Sequence, residues 1–305
     1  MRPLLSIVIP TKNRYSYLIK ILRLLKSFKS DQIEYIIQDN SDENIEILDF
    51  IENIFDRRIK YFYTKENLSV VDNSDKAIIN SSGKYVCFIG DDDIIIDNIM
   101  DIVKLIDERD IDSLIQDPVT YYWPDVIFKY LNKTQTPGSF LISNKLKLEF
   151  EKINVKSELK YVILSGGTSI GKLPRIYHGI VKRQLLDSIF LHCNTYFPGA
   201  SPDMASSTAL AHFTDKCYHV KVPFSISGKS STSTSGMGVA HTHIGNLENL
   251  AFLPKNIIKE LDEKIPKYWS CSTIWAQSLS TALIACGNKQ NINYNKLYAH
   301  LLIFE

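Results

Sequence analysis

The sequence predicts an α/β fold, a mostly parallel sheet flanked by helices, and three observations carry that prediction. Apolar runs too short to be helices alternate with apolar residues at helical spacing. The alternation repeats, and each run closes on a polar or acidic loop. Strand, crossover helix and parallel strand is the arrangement that buries such runs on both faces.

The first cycle opens with Leu4-Leu5-Ser6-Ile7-Val8-Ile9-Pro10, a continuous apolar run ended by a breaker. After Thr11-Lys12-Asn13-Arg14, the positions Tyr17, Leu18, Ile21, Leu22, Leu24, Leu25 and Phe28 define a helix. The second cycle pairs a strand at Ile33 to Ile37 with a helical stripe of Ile45, Leu48, Ile51, Ile54 and Phe55. Between them lies Gln38-Asp39-Asn40-Ser41-Asp42. The third runs from Ile59 to Tyr63, through a polar loop to Asn67, into a helix over Val70 to Ile79. A fourth strand, Tyr85-Val86-Cys87-Phe88-Ile89, stops at Gly90 before Asp91-Asp92-Asp93.

In a sheet of this kind ligands bind outside the carboxyl ends of the strands, where Asn13, Asp39, Asn67 and Asp91 to Asp93 fall. Three consecutive carboxylates at the edge of a buried strand repel one another unless a cation relieves them. Hard oxygen ligands select Mg²⁺ or Mn²⁺, usually through one or two carboxylates, with water and phosphate oxygens completing the shell. The alternative is a solvated acidic turn capping the next helix.

Three stretches, Ser6 to Arg14, Ile36 to Ser41 and Gly83 to Asp93, resemble in order and spacing the family 2 glycosyltransferases with the GT-A fold. The resemblance is strong over about the first 115 residues. It implies a nucleoside diphosphate sugar donor, with a UDP-sugar favoured, and Mn²⁺ or Mg²⁺ as cofactor. The expected donor nucleotide site is Pro10, Thr11, Asn13, Arg14, Asp39, Asn67, Asp91 and Asp92. Asp39 would accept from the base, with an Asx turn as its alternative reading. Asp93, together with Asp91, would ligate the metal, although three adjacent Asp residues leave the register of roles open.

Beyond Gln116-Asp117-Pro118 the pattern changes. Tyr121-Tyr122-Trp123 suits either stacking on sugar rings or ordinary packing. Leu164-Ser165-Gly166-Gly167-Thr168-Ser169-Ile170-Gly171 would let backbone approach a ligand or form a flexible turn. Ser201-Pro202-Asp203 opens an Ala- and Ser-rich helix ending near Phe213. The resemblance makes Asp203 the base on the acceptor hydroxyl, with Pro202 where the family usually carries Glu. Helix capping is the alternative for Asp203. The Gly- and Ser-rich stretch from Ser227 to Gly238 reads as a mobile lid. It precedes His241-Thr242-His243, and either His241 or His243 would lie near the metal.

The expected organisation is a nucleotide-sugar subdomain over 1–115, an acceptor and catalytic-base region over 116–245, and a helical segment over 246–305. In that segment Trp269, Ile274, Trp275, Leu279, Leu283 and Ile284 offer an apolar face for the core, a membrane surface or a second copy in a homo-oligomer. A formal charge of +1 argues against nucleic acid as the main partner. Five scattered cysteines with no Cys-x-x-Cys pair point to free thiols in a reducing compartment. The N-terminal apolar run merges into the first strand, so no signal peptide is expected and the placement is cytoplasmic, with peripheral membrane contact.

The sequence therefore reads as an inverting, metal-dependent glycosyltransferase with a carbohydrate or glycolipid acceptor, in the assembly of a surface polysaccharide. Two rivals are a sugar-phosphate nucleotidyltransferase and a silent sugar- or nucleotide-binding protein. The first would carry a glycine-rich basic loop after its first strand, and Pro10-Thr11-Lys12-Asn13-Arg14 has no glycine. The second has little use for both a metal site and a base.

Overall fold

The structure, a computed structural model, describes residues 2–129, 135–143, 145–242, 244–247, 250 and 252–305. The first half is built from the expected cycles. Strand β1 (Leu5–Thr11) is buried except at Pro10, and helix α1 (Tyr15–Lys26) buries Tyr15, Tyr17, Leu18, Ile21, Leu22 and Leu25 on one face. Strand β2 (Ile33–Asp39) is buried throughout; α2 (Ile45–Ile54) and β3 (Ile59–Tyr63) complete the second cycle and open the third. Helix α3 (Val70–Ile79) has the expected limits because Ser69 and Asp72 form a capping box at its start. Strand β4 (Tyr85–Phe88) is followed by the short β5 (Ile94–Ile95), α4 (Ile99–Glu108) and β6 (Ser113–Gln116).

The second half contributes β7 (Thr120–Tyr122), β8 (Phe140–Leu141), β9 (Glu151–Lys152), α5 (Val155–Leu164) and β10 (Gly179–Lys182). Helices α6 (Arg183–Cys193) and α7 (Pro202–Phe213) follow, then β11 (Cys217–Val220) and β12 (Ser225–Lys229). The chain ends in α8 (Thr234–Ala240), α9 (Ile257–Glu260), α10 (Cys271–Ala285) and α11 (Tyr294–Phe304). The main sheet has the order β3-β2-β1-β4-β10-β6-β11-β9. β1 to β4 run parallel, and β10 lies antiparallel between β4 and β6. The sheet is thus continuous across residue 115. A smaller sheet, β5-β12-β7-β8, lies beyond the end of β4.

Register sets up the site. Val8 pairs with Phe88 and Thr11 with Asp39, while Ile89 donates its N–H to the Val8 carbonyl. The residues after β4 therefore run on beside the end of β1, which brings Asp91 next to Thr11.

Gly166 and Gly167 serve neither a ligand nor a flexible turn. Both adopt a φ of +74°, and a Cβ on Gly167 would lie 2.9 Å from Ala276 Cα in α10. A Cβ on Gly166 would meet Asn293 O and Leu297 N at 2.7 Å. These glycines let the C-terminal helices close on α5, burying Leu159, Val162, Ile163, Leu279, Leu283 and Leu297 in one cluster. Trp269, Ile274, Leu279 and Leu283 take the core option expected of them, whereas Ile284 is 73% exposed. Tyr122 and Trp123 are likewise buried, and Trp123 Nε1 donates to the Asp92 carbonyl at 2.8 Å. Among the described residues no helix is long and apolar enough to cross a membrane.

Gly167→Ala combines a disfavoured φ with a backbone clash. It should destabilise the protein by about 1–3 kcal/mol. The change will appear as a lower urea midpoint, and an unchanged midpoint would contradict this packing.

Candidate active site

The strand-end register and the return of β12 enclose the carboxylate triplet in protein donors. Thr11 Oγ1 donates to Asp91 Oδ2 at 2.7 Å, and Arg14 Nη1 lies 3.0 Å from Asp91 Oδ1. Arg14 Nη2 lies 2.9 Å from Asp92 Oδ2 and donates to Ser230 Oγ at 2.6 Å. Ser230 in turn gives Asp92 Oδ2 both its N–H and its hydroxyl, at 3.1 and 2.6 Å.

Asp93 is held differently. A turn closed by its N–H on the Gly90 carbonyl folds it back, so Gly90 N and Tyr177 OH donate to Oδ2 at 2.6 and 2.7 Å. Gly228 N donates to Oδ1 at 2.7 Å, and His178 Nε2 stands 3.1 Å from Oδ2. Gly228 must be glycine: a Cβ there would fall 1.8 Å from the Asp92 carbonyl oxygen.

The charges in this cluster are unequal. Burial pushes Asp91 up to about 7; Arg14 opposes that rise and Asp92 adds to it. Burial and the neighbouring Asp93 charge also raise Asp92. Burial acts the same way on Asp93, but His178, Tyr177 and the Gly228 N–H outweigh it, leaving this carboxyl below its usual range. Asp93 is therefore the most firmly ionised of the three.

Asp91 and Asp92 face a cavity of about 500 Å³ that Pro10, Thr11, Arg14 and Asp203 also line. Asp203 is the second residue of α7, after Pro202 in its first turn. No described side chain donates to its carboxylate, which lines the cavity from the first turn of the helix. Burial chiefly pushes it up to about 6; His178 and Arg175 pull it down, and Asp93 pushes it up.

Other expected residues are placed elsewhere. Asp39 is fully buried and does not line the cavity. Tyr15 and Tyr61 hydroxyls each donate to its Oδ2 at 2.6 Å, and Ser41 N donates to Oδ1 at 2.8 Å. The Asx-turn reading describes the Ser41 contact, while Oδ1, with that one donor, keeps a further acceptor position. Asp93, expected as a metal ligand, does not line the cavity; the turn at Gly90 aims its carboxylate at donors within the protein. Asn13 has a φ of +57° and is paired with Asp42 and Ser41, away from the cavity. Asn67 is exposed and accepts from Lys12 Nζ. His241 is exposed at the C-terminal end of α8, and His243 lies outside the described residues. The stretch expected as a lid holds the end of β12 and most of helix α8, capped by Ser233, and its Ser227, Ser233, Thr234, Ser235 and Gly238 line the cavity.

Sequence reasoning missed Asn73, Tyr177, His178 and Ser230. Asn73 lines the cavity, is buried, and has no partner for Oδ1. Its signal was a polar residue on the apolar face of α3, beside Val71, Ala77 and Ile78.

The profile of Glycosyl transferase family 2 matches residues 6–171, more than half of the chain, so the chain belongs to that family. A relative named as an uncharacterized glycosyltransferase of Rickettsia bellii (strain RML369-C) is 31% identical over 138 residues. That match covers 44% of this chain and 19% of the relative. Among solved structures, S. aureus TarS 1-349 in complex with UDP-GlcNAc aligns with a TM-score of 0.55 and 18% identity, over 80% of this chain and 62% of that one. A longer S. aureus TarS structure aligns with a TM-score of 0.52 and 17% identity, over 75% of this chain and 37% of that one. The fold is GT-A, and the chain spans less than two thirds of the proteins it matches.

Asp93→Ala removes a buried acceptor from two backbone N–H groups and a tyrosine hydroxyl. Breaking such a buried charge network should cost about 3–5 kcal/mol. Thermal unfolding without nucleotide or metal checks this, and a melting temperature within a degree of the parent would refute the structural role.

Proposed function

We propose that the protein transfers a sugar, with inversion, from a nucleoside diphosphate sugar to a carbohydrate hydroxyl. The observation that carries this reading is one cavity shared by Asp91, Asp92 and an unpaired Asp203, at the carboxyl end of a parallel sheet. Family membership supports a sugar nucleotide, and the UDP-GlcNAc held by TarS supports uridine as the nucleoside. A role in assembling a surface polysaccharide rests on the family resemblance.

Thr11 and Asn73 supply polar groups to the donor's nucleotide, and Arg14 and Lys12 supply positive charge to its phosphates. A divalent cation suits Asp91 and Asp92, which offer hard oxygens at the cavity wall and more negative charge than Arg14 balances. Among the described residues no three His, Cys, Asp or Glu side chains gather as a metal-holding group. Such a site therefore draws its remaining ligands from the diphosphate and water. When bound, the cation neutralises the charge that grows on the departing diphosphate.

Asp203 performs the proton step. It takes the proton of the acceptor hydroxyl as that oxygen attacks the anomeric carbon, and the bond to the phosphate oxygen breaks with its electron pair leaving on the diphosphate. Burial serves this role by raising Asp203 to about 6, which makes its carboxylate a stronger base near neutral pH.

Because the base acts as a carboxylate, kcat/KM should rise as pH increases through about 6 and level off above it. Asp203→Asn should lower turnover by about 10² to 10⁴ and abolish that acidic limb. Affinity for UDP should stay at the parent value. Retained turnover with the limb intact would exclude Asp203 and return the base to another carboxylate.

A further inference from the structure

The cation on the cavity carboxylates belongs to the protein itself. One guanidinium bridges Asp91 Oδ1 and Asp92 Oδ2 at 3.0 and 2.9 Å and adds a 2.6 Å bond to Ser230 Oγ. Its side chain keeps 20% exposure and lines the same cavity. The backbone carbonyl of Arg14 accepts from Tyr17 N and Leu18 N at the start of α1, so the residue is anchored and only the side chain is free to turn.

We propose that Arg14 is an exchangeable internal counter-ion. It holds Asp91 and Asp92 while the donor site is empty, and it yields them to a divalent cation when a nucleoside diphosphate arrives. This rests on the donor-site reading above and adds to it an order of events.

Three observations support the exchange. Arg14 Nε is buried without a hydrogen-bond partner, so the guanidinium is not fully satisfied in its present position. Two carboxylates face one positive charge, which leaves the pair short of neutrality by a further charge that a divalent ion supplies. Yet a guanidinium and a metal ion on the same two oxygens would repel at close range, so one must leave. The cavity gives the displaced side chain somewhere useful to go, since a planar guanidinium matches two phosphate oxygens as well as it matches carboxylates.

The exchange predicts that metal and diphosphate bind cooperatively because of Arg14. Mn²⁺ affinity is measured by the electron paramagnetic resonance of free Mn²⁺, with and without UDP, on the parent, Arg14→Gln and Arg14→Lys. Without UDP the parent should bind Mn²⁺ weakly, and Arg14→Gln should bind it at least about tenfold more tightly, because its competitor is gone. UDP should strengthen Mn²⁺ binding less in Arg14→Gln than in the parent. Arg14→Lys keeps the charge but cannot bridge both carboxylates, so it should fall between the two. If Arg14→Gln fails to fold, as read by its melting curve, the Arg14→Lys comparison carries the test alone. Equal or weaker Mn²⁺ binding in a folded variant overturns the exchange and leaves the donor reading intact. No Mn²⁺ binding by any of the three, even with UDP, overturns the metal reading and the exchange together.

Discussion

Three consecutive carboxylates are buried at the end of a strand, and the rest of the structure is arranged to make that tolerable. A buried unpaired carboxylate is expensive, so each needs donors. Asp91 draws them from the end of β1 and the start of α1, residues 80 and 77 positions away in sequence. Asp92 draws its donors from Ser230, the residue after β12, and Asp93 from Gly228 within β12, across separations of 138 and 135. Asp93 also takes Tyr177 OH, 84 positions away. The smaller sheet is thus fastened to the main one through the site itself, and a cavity is left where the two meet. Loop-closure entropy opposes contacts of such range, which are stable only once the parallel core exists to align β1 with β4.

That dependence explains what the sequence could and could not reveal. The first cycles were legible because each strand is buried on both faces and each helix shows one apolar stripe, so a single local pattern decides the element. α3 lies where its pattern placed it, and the structure fixes its start with the capping box of Ser69 and Asp72. β10 was not: four residues, Gly179 to Lys182, carry too little periodicity to announce an antiparallel insertion between β4 and β6. β12 was not legible as a strand because Ser and Gly are poor strand formers. Its glycine answers a different demand, the close approach of Gly228 to the Asp92 carbonyl.

The site was legible as a place more than as a set of roles. Asp91, Asp92 and Asp203 line one cavity. Asp93 does not join them, because the turn from Gly90 to Asp93 breaks the alternation from which its direction would be read. The partners of Asp39 were hidden for a related reason: Tyr15 and Tyr61 sit 24 and 22 positions away, on α1 and β3, and only packing brings their hydroxyls to its Oδ2. The carboxylates that remain at the cavity wall are the poorly neutralised ones. Burial is the main cause that raises Asp91 to about 7 and Asp203 to about 6, so the poor solvation of the cavity wall favours a cation on one side and strengthens the base on the other.

The central claim is that Asp93 ties the two sheets together and thereby forms the site. Native-state hydrogen exchange of the Gly90 and Gly228 amides, without nucleotide or metal, tests it most directly, since both N–H groups end on this one carboxylate. The account predicts protection close to that of the core amides of β1. Exchange of Gly228 as fast as an exposed loop amide would contradict it.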